Sequence, residues 1–401
     1  MTYRVYRYRW VVLAIYMYIA AISQLYWLNF AAIHTFMEEH LKMQASQLEW
    51  LTLIPLVIFI LLTIPAGRII DKKGLKYGLG IGVIFNGIFP ILRLLLPDSF
   101  FWLFSMQLLI AIGSPFILNA VTKLAAVWFG PEEEALAIGL CSCALFAGIM
   151  LAFLLTGWLV KNLSYDFMLL IYGLLGLISV LAFIFLKSHP YSPSRPPQKK
   201  KQNASWGLKI ILSNKNFIIL SVVTLLNYGV FIALTTWDEK ILHDFQRLDL
   251  ISAGKVSGLF ILSGIVGCIF IPLISDKMKR RKPLLILSLL IGALCISFFA
   301  YVNTFAINII NSLILGFFFL PALPVIYAMS ADMVGTNLTG ISLGYLQLIG
   351  NAAGILFGWL VEELNEIIGN FRIPLLLLGA LLLIGCVLVF FCREKLPQTY
   401  K

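Results

Sequence analysis

The segment GRIIDKKGLK, residues 67–76, decides the fold together with a second segment, PLISDKMKRRK, at residues 272–282. Each is a short basic stretch in a chain that is otherwise mostly apolar, and each predicts a tight loop that closes a hydrophobic hairpin. Asp71 and Asp276 hold the same place in the two copies and lie 205 residues apart. In a chain of 401 residues, this recurrence predicts two halves built on one plan.

The composition places the chain in a membrane. Hydrophobic residues make up 60% of the sequence and charged residues 12%, which leaves too little polar surface for a soluble protein of this size. Twelve apolar runs are each close to the roughly 20 residues that a helix needs to cross hydrocarbon. The sequence predicts an all-α membrane protein with twelve transmembrane helices in two six-helix pseudo-repeats, at residues 10–33, 48–70, 77–96, 101–127, 134–160, 164–186, 216–236, 252–275, 283–302, 305–330, 338–362 and 371–392.

The net charge of +11 is concentrated in alternate loops, and 22 of the 30 lysines and arginines fall on one side of the predicted bundle. This asymmetry indicates membrane orientation rather than a nucleic-acid partner. By the positive-inside rule the basic side faces the cytoplasm, so both termini are expected there. The compact loops favour the plasma membrane of a bacterium, that is, its inner membrane. We expect a monomer in the lipid bilayer.

One long polar segment, residues 187–215, is rich in proline and lysine and predicts a flexible cytoplasmic linker. It separates an N-terminal six-helix bundle, residues 1–186, from a C-terminal six-helix bundle, residues 216–401. The same 205-residue offset pairs Gly130 with Gly335 and Gly139 with Gly344, which supports a parallel repeat. Pro321 and Pro324 predict a bend in helix ten.

The first basic segment, with its pattern Gly67-x-x-x-Asp71-Lys-x-Gly74, resembles the signature loop between helices two and three of the major facilitator superfamily. That resemblance covers the whole chain and implies a carrier whose two halves rock about a central site. Asp71, Gly67, Gly74 and Asp276 are then gating candidates, with Asp71 as a latch that forms salt bridges in the outward-open state. The second copy has Pro272 in place of the first glycine, so Asp276 is expected mainly to fix topology.

A narrower resemblance, to the feline leukaemia virus subgroup C receptor-related transporters, rests on VWFGP at residues 127–131, with QLL at 107–109 and FIL at 116–118 before it. Such relatives move choline or ethanolamine, and haem export has also been attributed to them. The resemblance implies an aromatic cage for a quaternary ammonium, formed by Trp27 in helix one and Tyr228 in helix seven. By their positions alone, both aromatic residues also fit the interfacial belt or ordinary packing.

The polar residues of that family do not all transfer. Ser114 stands where the family has a glutamine in helix four, and Leu145 and Phe146 stand where it has an Asn-Gln pair in helix five. The substrate is therefore a small polar or cationic metabolite, with choline or ethanolamine favoured and haem, amino acids and vitamins as alternatives.

Helix eleven places small and amide residues on one face, because their spacing is four, three, four and three residues: Gly340, Gly344, Gln347, Asn351 and Gly354. Small residues there would permit close helix packing, and the two amides could hold a ligand through hydrogen bonds. The alternative for each amide is an interhelical hydrogen bond without a ligand.

Other polar residues within the predicted helices are also binding candidates, because polar groups at membrane depth are costly. Asn119 lies near the middle of helix four, and Asn227 is next to Tyr228. Gln24 is one turn before Trp27 on the same face of helix one. Asn29 is two residues beyond Trp27, so on a regular helix it points about 160° away and ranks lower.

No carboxylate or histidine falls in the middle of a predicted helix, which favours facilitated transport, as by a uniporter. The same pattern weakens an axial ligand for haem. We find no metal-ligand spacing, cofactor motif or acid/base pair, so neither a metal site nor an enzyme is predicted. The alternative from another class is a membrane receptor that kept a carrier fold.

Overall fold

The computed structural model describes residues 7–130, 133–187, 204–278, 280–302, 304–335 and 338–394. The chain divides into two compact units, Met1–Pro197 and Gln198–Lys401. Both units are built from helices, and no β-strand occurs within the ranges just given.

Unit 1 contains seven helices in its described part. Six are long and one is short: α1 Arg9–Leu28, α2 His34–Leu41, α3 Ala45–Lys73, α4 Leu75–Leu92, α5 Phe100–Trp128, α6 Glu134–Asn162 and α7 Tyr165–Ile184. A short 3-10 helix, Ala31–Ile33, joins α1 to α2, and another, Arg93–Leu95, follows α4. Both short segments lie where long helices end, and the second contains Arg93, which is discussed below.

Unit 2 contains eight helices in the part that the structure describes: α8 Ala204–Ser213, α9 Lys215–Lys240, α10 Leu250–Met278, α11 Lys282–Phe299, α12 Phe305–Phe319, α13 Ala322–Val334, α14 Thr339–Ile368 and α15 Arg372–Phe391. A π-helical turn, Ile241–Phe245, extends α9. Turns of this kind are rare and are found mostly where a helix is locally adapted to a function.

Twelve helical stretches of the described residues are long and apolar enough to cross a bilayer, six in each unit. They overlap all twelve runs predicted from the sequence, so the all-α membrane fold is confirmed. A helix satisfies its backbone N–H and C=O groups internally, and hydrocarbon offers no other partner for them. Apolar length alone therefore sets the positions of the spans.

The two basic segments are mostly helical, and the prediction of loops there is wrong in extent. Helix α3 continues through Lys73 and α4 begins at Leu75, so the turn consists of Gly74 alone, with φ of 92°. Residues 272–278 likewise belong to α10. Lysines in the last turn of α3 oppose the negative end of the helix dipole, and this favours helix where sequence analysis expects a loop.

The predicted linker is helical in its described part beyond residue 203. The predicted linker, 187–215, includes the helix α8, which packs against α9 and α14, while residues 188–203 lie outside the described ones.

The predicted bend in helix ten is confirmed, because α12 ends at Phe319 and α13 begins at Ala322, with Pro321 between them. Proline removes a backbone donor and crowds the preceding turn.

Close packing in unit 1 depends on a glycine where α1 meets α6. A Cβ atom at Gly148 would lie 2.0 Å from the carbonyl oxygen of Ala21 and 2.9 Å from its Cα atom. These are backbone atoms, which cannot rotate away. Lipid gives two helices little hydrophobic reason to associate, so close van der Waals contact between small residues is what holds them together.

We expect Gly148→Ala to lower the free energy of unfolding by about 1–3 kcal/mol, because the added methyl group separates the α1 and α6 backbones. Thermal unfolding of the protein in detergent, followed by tryptophan fluorescence, measures the change. Gly139→Ala on the same helix is the matched control, since a Cβ there meets no described atom within 4 Å. Equal effects of the two substitutions would show that packing at Gly148 is not limiting.

Candidate substrate-binding residues

Trp27 lies in the last turn of α1 and is 8% exposed. Its indole nitrogen donates a hydrogen bond of 3.1 Å to the carbonyl oxygen of Thr52 in α3. Gln24, one turn earlier, is also buried. The bond to Thr52 fixes the plane of the indole ring, so Trp27 is an oriented aromatic face rather than a mobile belt residue.

Ser114 of α5 lies on the same side of α1 as Trp27. Its hydroxyl oxygen is 3.4 Å from that of Ser23, which precedes Trp27 by one helical turn. The structure thus brings Trp27 and Ser114 to neighbouring positions along α1, as their shared assignment to a site requires.

Asn29 ends α1 and is completely buried. Neither its amide nitrogen nor its amide oxygen has a hydrogen-bond partner among the described residues. Sequence analysis ranks Asn29 below Trp27 because of its direction on the helix. Its burial with two unused polar atoms makes it a stronger candidate for contact with a ligand than its direction alone suggests.

Asn119 of α5 is half-buried and connects two helices of unit 1. Its amide nitrogen donates to the carbonyl oxygen of Thr63 at 2.8 Å and to the Thr63 hydroxyl at 3.0 Å. Gly67 lies one turn beyond Thr63 on α3, and a Cβ there would be 4.0 Å from the same nitrogen. These bonds join α3 to α5, so they support an interhelical hydrogen bond without a ligand as the role of Asn119.

The ring of Tyr228 on α9 packs against Gly350 of α14, where the lack of a side chain leaves room for it. A Cβ atom at Gly350 would lie 2.1 Å from Cδ1 of Tyr228, so only glycine allows the ring its position. The ring of Phe231 stacks on it at 6.1 Å between centroids and an angle of 10°. Asn227, next in sequence, is buried, and its amide nitrogen has no partner among the described residues.

The glycine face predicted for helix eleven is only partly a packing surface. Gly354 packs against Ile232, where a Cβ would meet the isoleucine Cδ1 at 2.3 Å. The prediction is wrong for Gly340 and Gly344, because a Cβ at either would find no described atom within 4 Å. Periodicity identified a common face but not the neighbour that covers each part of it.

The side-chain amide of Asn351 forms a hydrogen bond within its own helix, α14. Asn351 is buried and donates from its side chain to the backbone carbonyl of Gln347 at 2.8 Å. Gln347 itself is half-buried. The Asn351 bond leaves its side-chain oxygen for another donor, so a ligand-binding role for this pair stays a prediction.

Three of the four gating candidates, Gly67, Asp71 and Gly74, lie near the junction of α3 and α4. Asp71 is exposed in the last turn of α3, and Gly74 has the positive φ that favours glycine. Asp276 is part of α10, but its side chain is outside the described residues. Near the start of α1, Arg9 forms a two-pronged ion pair with Glu133, at 2.5 and 2.9 Å.

Unit 1 holds a buried cation that the sequence does not single out. Arg93 lies within the predicted span 77–96 and entered only the count of charges on each side, yet its side chain is fully buried. It donates to the amide oxygen of Gln107 and lies over the rings of Phe30 and Tyr26, at 4.7 and 5.7 Å. The signal available in the sequence was the spacing of seven residues from Asn86, which places both on one face of α4.

The end of α9 is buried. Trp237 donates a hydrogen bond of 3.0 Å to the carbonyl oxygen of Gly358. Asp238 and Glu239 beside it are buried as well, and so is Glu362 on α14. These carboxylates lie near the ends of their helices rather than in the middle, so uniport stays a prediction.

Twelve apolar spans in two units and a set of buried aromatic and amide side chains define a membrane carrier. The family model described as Major Facilitator Superfamily matches residues 13–358, and the chain belongs to that family. It is an integral membrane transporter of a small-molecule substrate, not an enzyme.

Three comparisons place the chain more closely. An uncharacterised MFS-type transporter of Caenorhabditis elegans is 28% identical, over 98% of this chain and 71% of its own length. The choline/ethanolamine transporter FLVCR2 of Homo sapiens is 26% identical, over 98% of this chain and 79% of its own. In fold, the chain is similar to a bacterial homologue of the human lysosomal transporter Spinster, with a TM-score of 0.79, 16% identity and coverage of 97% and 98%.

We expect Asn119→Leu to lower thermal stability while leaving substrate affinity nearly unchanged, because its amide is used between α3 and α5. A double-mutant cycle with Thr63→Val measures the coupling of the pair, expected at about 0.6–1.7 kcal/mol. Unfolding in detergent gives the stability, and a ligand titration of each variant gives the affinity. A large loss of affinity with unaltered stability would instead assign Asn119 to substrate.

Proposed function

We propose that this protein carries a small cationic metabolite of the choline or ethanolamine class across the membrane. The single observation that carries the proposal is the similarity to choline/ethanolamine transporters over 98% of the chain. We propose that Trp27 and Tyr228 are the aromatic residues that bind the cation, as the resemblance implies. We further propose alternating access as the mechanism, as in other carriers of this superfamily.

The chemistry of the ligand supports an aromatic site. A quaternary ammonium has no N–H group to donate, so it is bound chiefly by the faces of aromatic rings, each worth roughly 0.5–2 kcal/mol. The Trp27 N–H is occupied by Thr52, which holds the ring in one orientation. A ring fixed before binding loses little entropy when the cation arrives, and this favours affinity.

In unit 2, the ring of Tyr228 is restrained in a similar way, because Gly350 and Phe231 hold it. Polar side chains near these two aromatic residues suit the hydroxyl or amino group of the same metabolites. In unit 1 these are Gln24 and Asn29, and in unit 2 they are Asn227, Gln347 and Asn351. The unpartnered amide nitrogen of Asn227 is a donor that such a hydroxyl could use.

Ser114 gives a reason to expect a preference different from that of the curated relatives. A serine is shorter than the glutamine of the family and reaches Ser23 instead. The ligand therefore cannot receive from Ser114 the amide hydrogen bonds that a glutamine would offer. Haem, amino acids and vitamins remain alternatives, and so does a receptor that binds without moving its ligand.

We expect choline to raise the melting temperature of the purified protein and Trp27→Ala to weaken choline binding about tenfold or more, since one desolvated aromatic face is lost. Thermal shift against choline, ethanolamine, amino acids, haem and vitamins identifies the ligand. Trp158→Ala is the control, because Trp158 is exposed on α6. A choline shift that survives Trp27→Ala would contradict the aromatic site.

Transport itself needs a separate measurement. Exchange of labelled choline in proteoliposomes distinguishes a carrier from a receptor, since a receptor binds without exchange. Buried carboxylates such as Asp238 and Glu239 are candidates for coupling to a proton or a sodium ion, so the same liposomes should be compared with and without a proton or sodium gradient. A rate that is independent of both gradients would support uniport.

Asp71 is proposed as a latch on the cytoplasmic face, stabilising one state of the transport cycle through ion pairs. We expect Asp71→Asn to slow choline exchange several-fold while choline affinity changes little, because the latch acts on the conformational step. Exchange rate and thermal-shift titration are compared for this variant and for Asp166→Asn, an exposed carboxylate at the start of α7. Unchanged exchange in Asp71→Asn would exclude the latch.

The latch requires Asp71 to face the cytoplasm, as the distribution of basic residues suggests. A cysteine placed at the exposed Lys73 should react with an impermeant maleimide in inside-out vesicles only. Labelling in right-side-out vesicles would reverse the proposed orientation of both termini.

A further inference from the structure

Arg93 is a buried cation that the proposed function does not use. It follows the last residue of α4, and its side chain has no exposed surface. One guanidinium nitrogen donates to the amide oxygen of Gln107 on α5. The planar group lies over Phe30 at 4.7 Å and Tyr26 at 5.7 Å. Neither the amide nor the rings carry a negative charge.

Two of the three guanidinium nitrogens, Nε and Nη1, have no hydrogen-bond partner among the described residues. No carboxylate in that part of the chain forms an ion pair with Arg93 either. Burying a charge without a counter-ion costs several kcal/mol, and arginine does not escape the cost by losing its proton. Burial of this residue therefore calls for an anion.

Gln107 is not free to change its role. Its amide nitrogen donates to the backbone carbonyl of Tyr26 at 3.1 Å, which fixes its amide oxygen toward Arg93. The unused donors of Arg93 are thus held in place from two sides.

The charge of Arg93 limits the kind of anion that can neutralise it. One cationic side chain balances one negative charge, and none of the described groups that contact Arg93 is a second cation. A small monovalent ion fits these limits, whereas a divalent phosphate would leave a charge uncompensated.

We propose that Arg93 forms a site for a small inorganic anion of the chloride class within unit 1, with its unpartnered Nε and Nη1 groups as the donors. The bound anion would neutralise the buried guanidinium and hold the end of α1 against α4 and α5. Its binding stabilises the fold of the transporter and does not depend on the identity of the transported solute.

Thermal unfolding of the full-length protein in detergent tests the site. Sodium chloride is titrated against sodium gluconate at constant ionic strength, so that only the anion changes. We expect a saturable rise in melting temperature of about 2–5 °C with chloride, and a similar rise with bromide. The same melting temperature in chloride, bromide and gluconate would overturn the proposal, because water would then be all that Arg93 needs.

Gln107→Glu is the decisive variant. The substitution keeps the shape of the side chain and places a permanent carboxylate next to Arg93, so the response to chloride should disappear. Arg93→Met should lose the response as well. Arg372→Gln should keep it, since Arg372 also lies over an aromatic ring, at 5.3 Å from Tyr301, but is exposed. A full chloride response in Gln107→Glu would place the anion elsewhere.

A measurement on the unaltered protein covers the case in which a variant fails to fold. The ³⁵Cl NMR line of chloride should broaden in the presence of the protein and narrow again when bromide is added as a competitor. A line width unaffected by the protein would contradict the site without reference to any variant. Neither experiment includes choline, so failure of the anion site would leave the proposed transport function standing.

Discussion

The hydrocarbon of the bilayer is the constraint on which the rest of this structure depends. It offers no hydrogen-bond partner to the backbone, so a segment that crosses it must satisfy its own N–H and C=O groups, and an apolar run of about 20 residues does so as a helix. The twelve apolar runs accordingly become twelve helical spans, and even the basic residues at 68–73 extend α3 rather than form a loop. Only a residue with positive φ, Gly74, ends the helix sharply.

Because lipid tails are as apolar as the helix surfaces, the helices associate through close packing rather than through hydrophobic burial. Gly148 against Ala21 and Gly350 against Tyr228 bring helices together at distances that no larger residue permits. Gly139 and Gly344 share the repeat spacing but have no described atom near their missing side chains. A glycine therefore signals packing only when its neighbour is known, and the neighbour is a property of the tertiary structure.

Polar side chains show a similar division. Trp27 and Asn119 were found from their positions in apolar runs, yet their hydrogen bonds to Thr52 and Thr63 were not foreseeable. Arg93 and Asp238 lie near the ends of spans, where charged side chains usually reach water. In the folded protein both are buried. Such residues give the transporter polar groups that a count of loop charges cannot reveal.

Sequence patterns were enough to predict the membrane class, the number and positions of the spans, and the family. They also selected the aromatic residues of a candidate site. These depend on local properties, namely apolar length, the repeated Asp71 segment and short motifs. Only the tertiary structure decided which glycines permit contact, which amides are already paired and which charges lack a partner. These depend on side chains far apart in sequence, such as Arg93, Gln107 and Phe30, whose meeting no local pattern encodes.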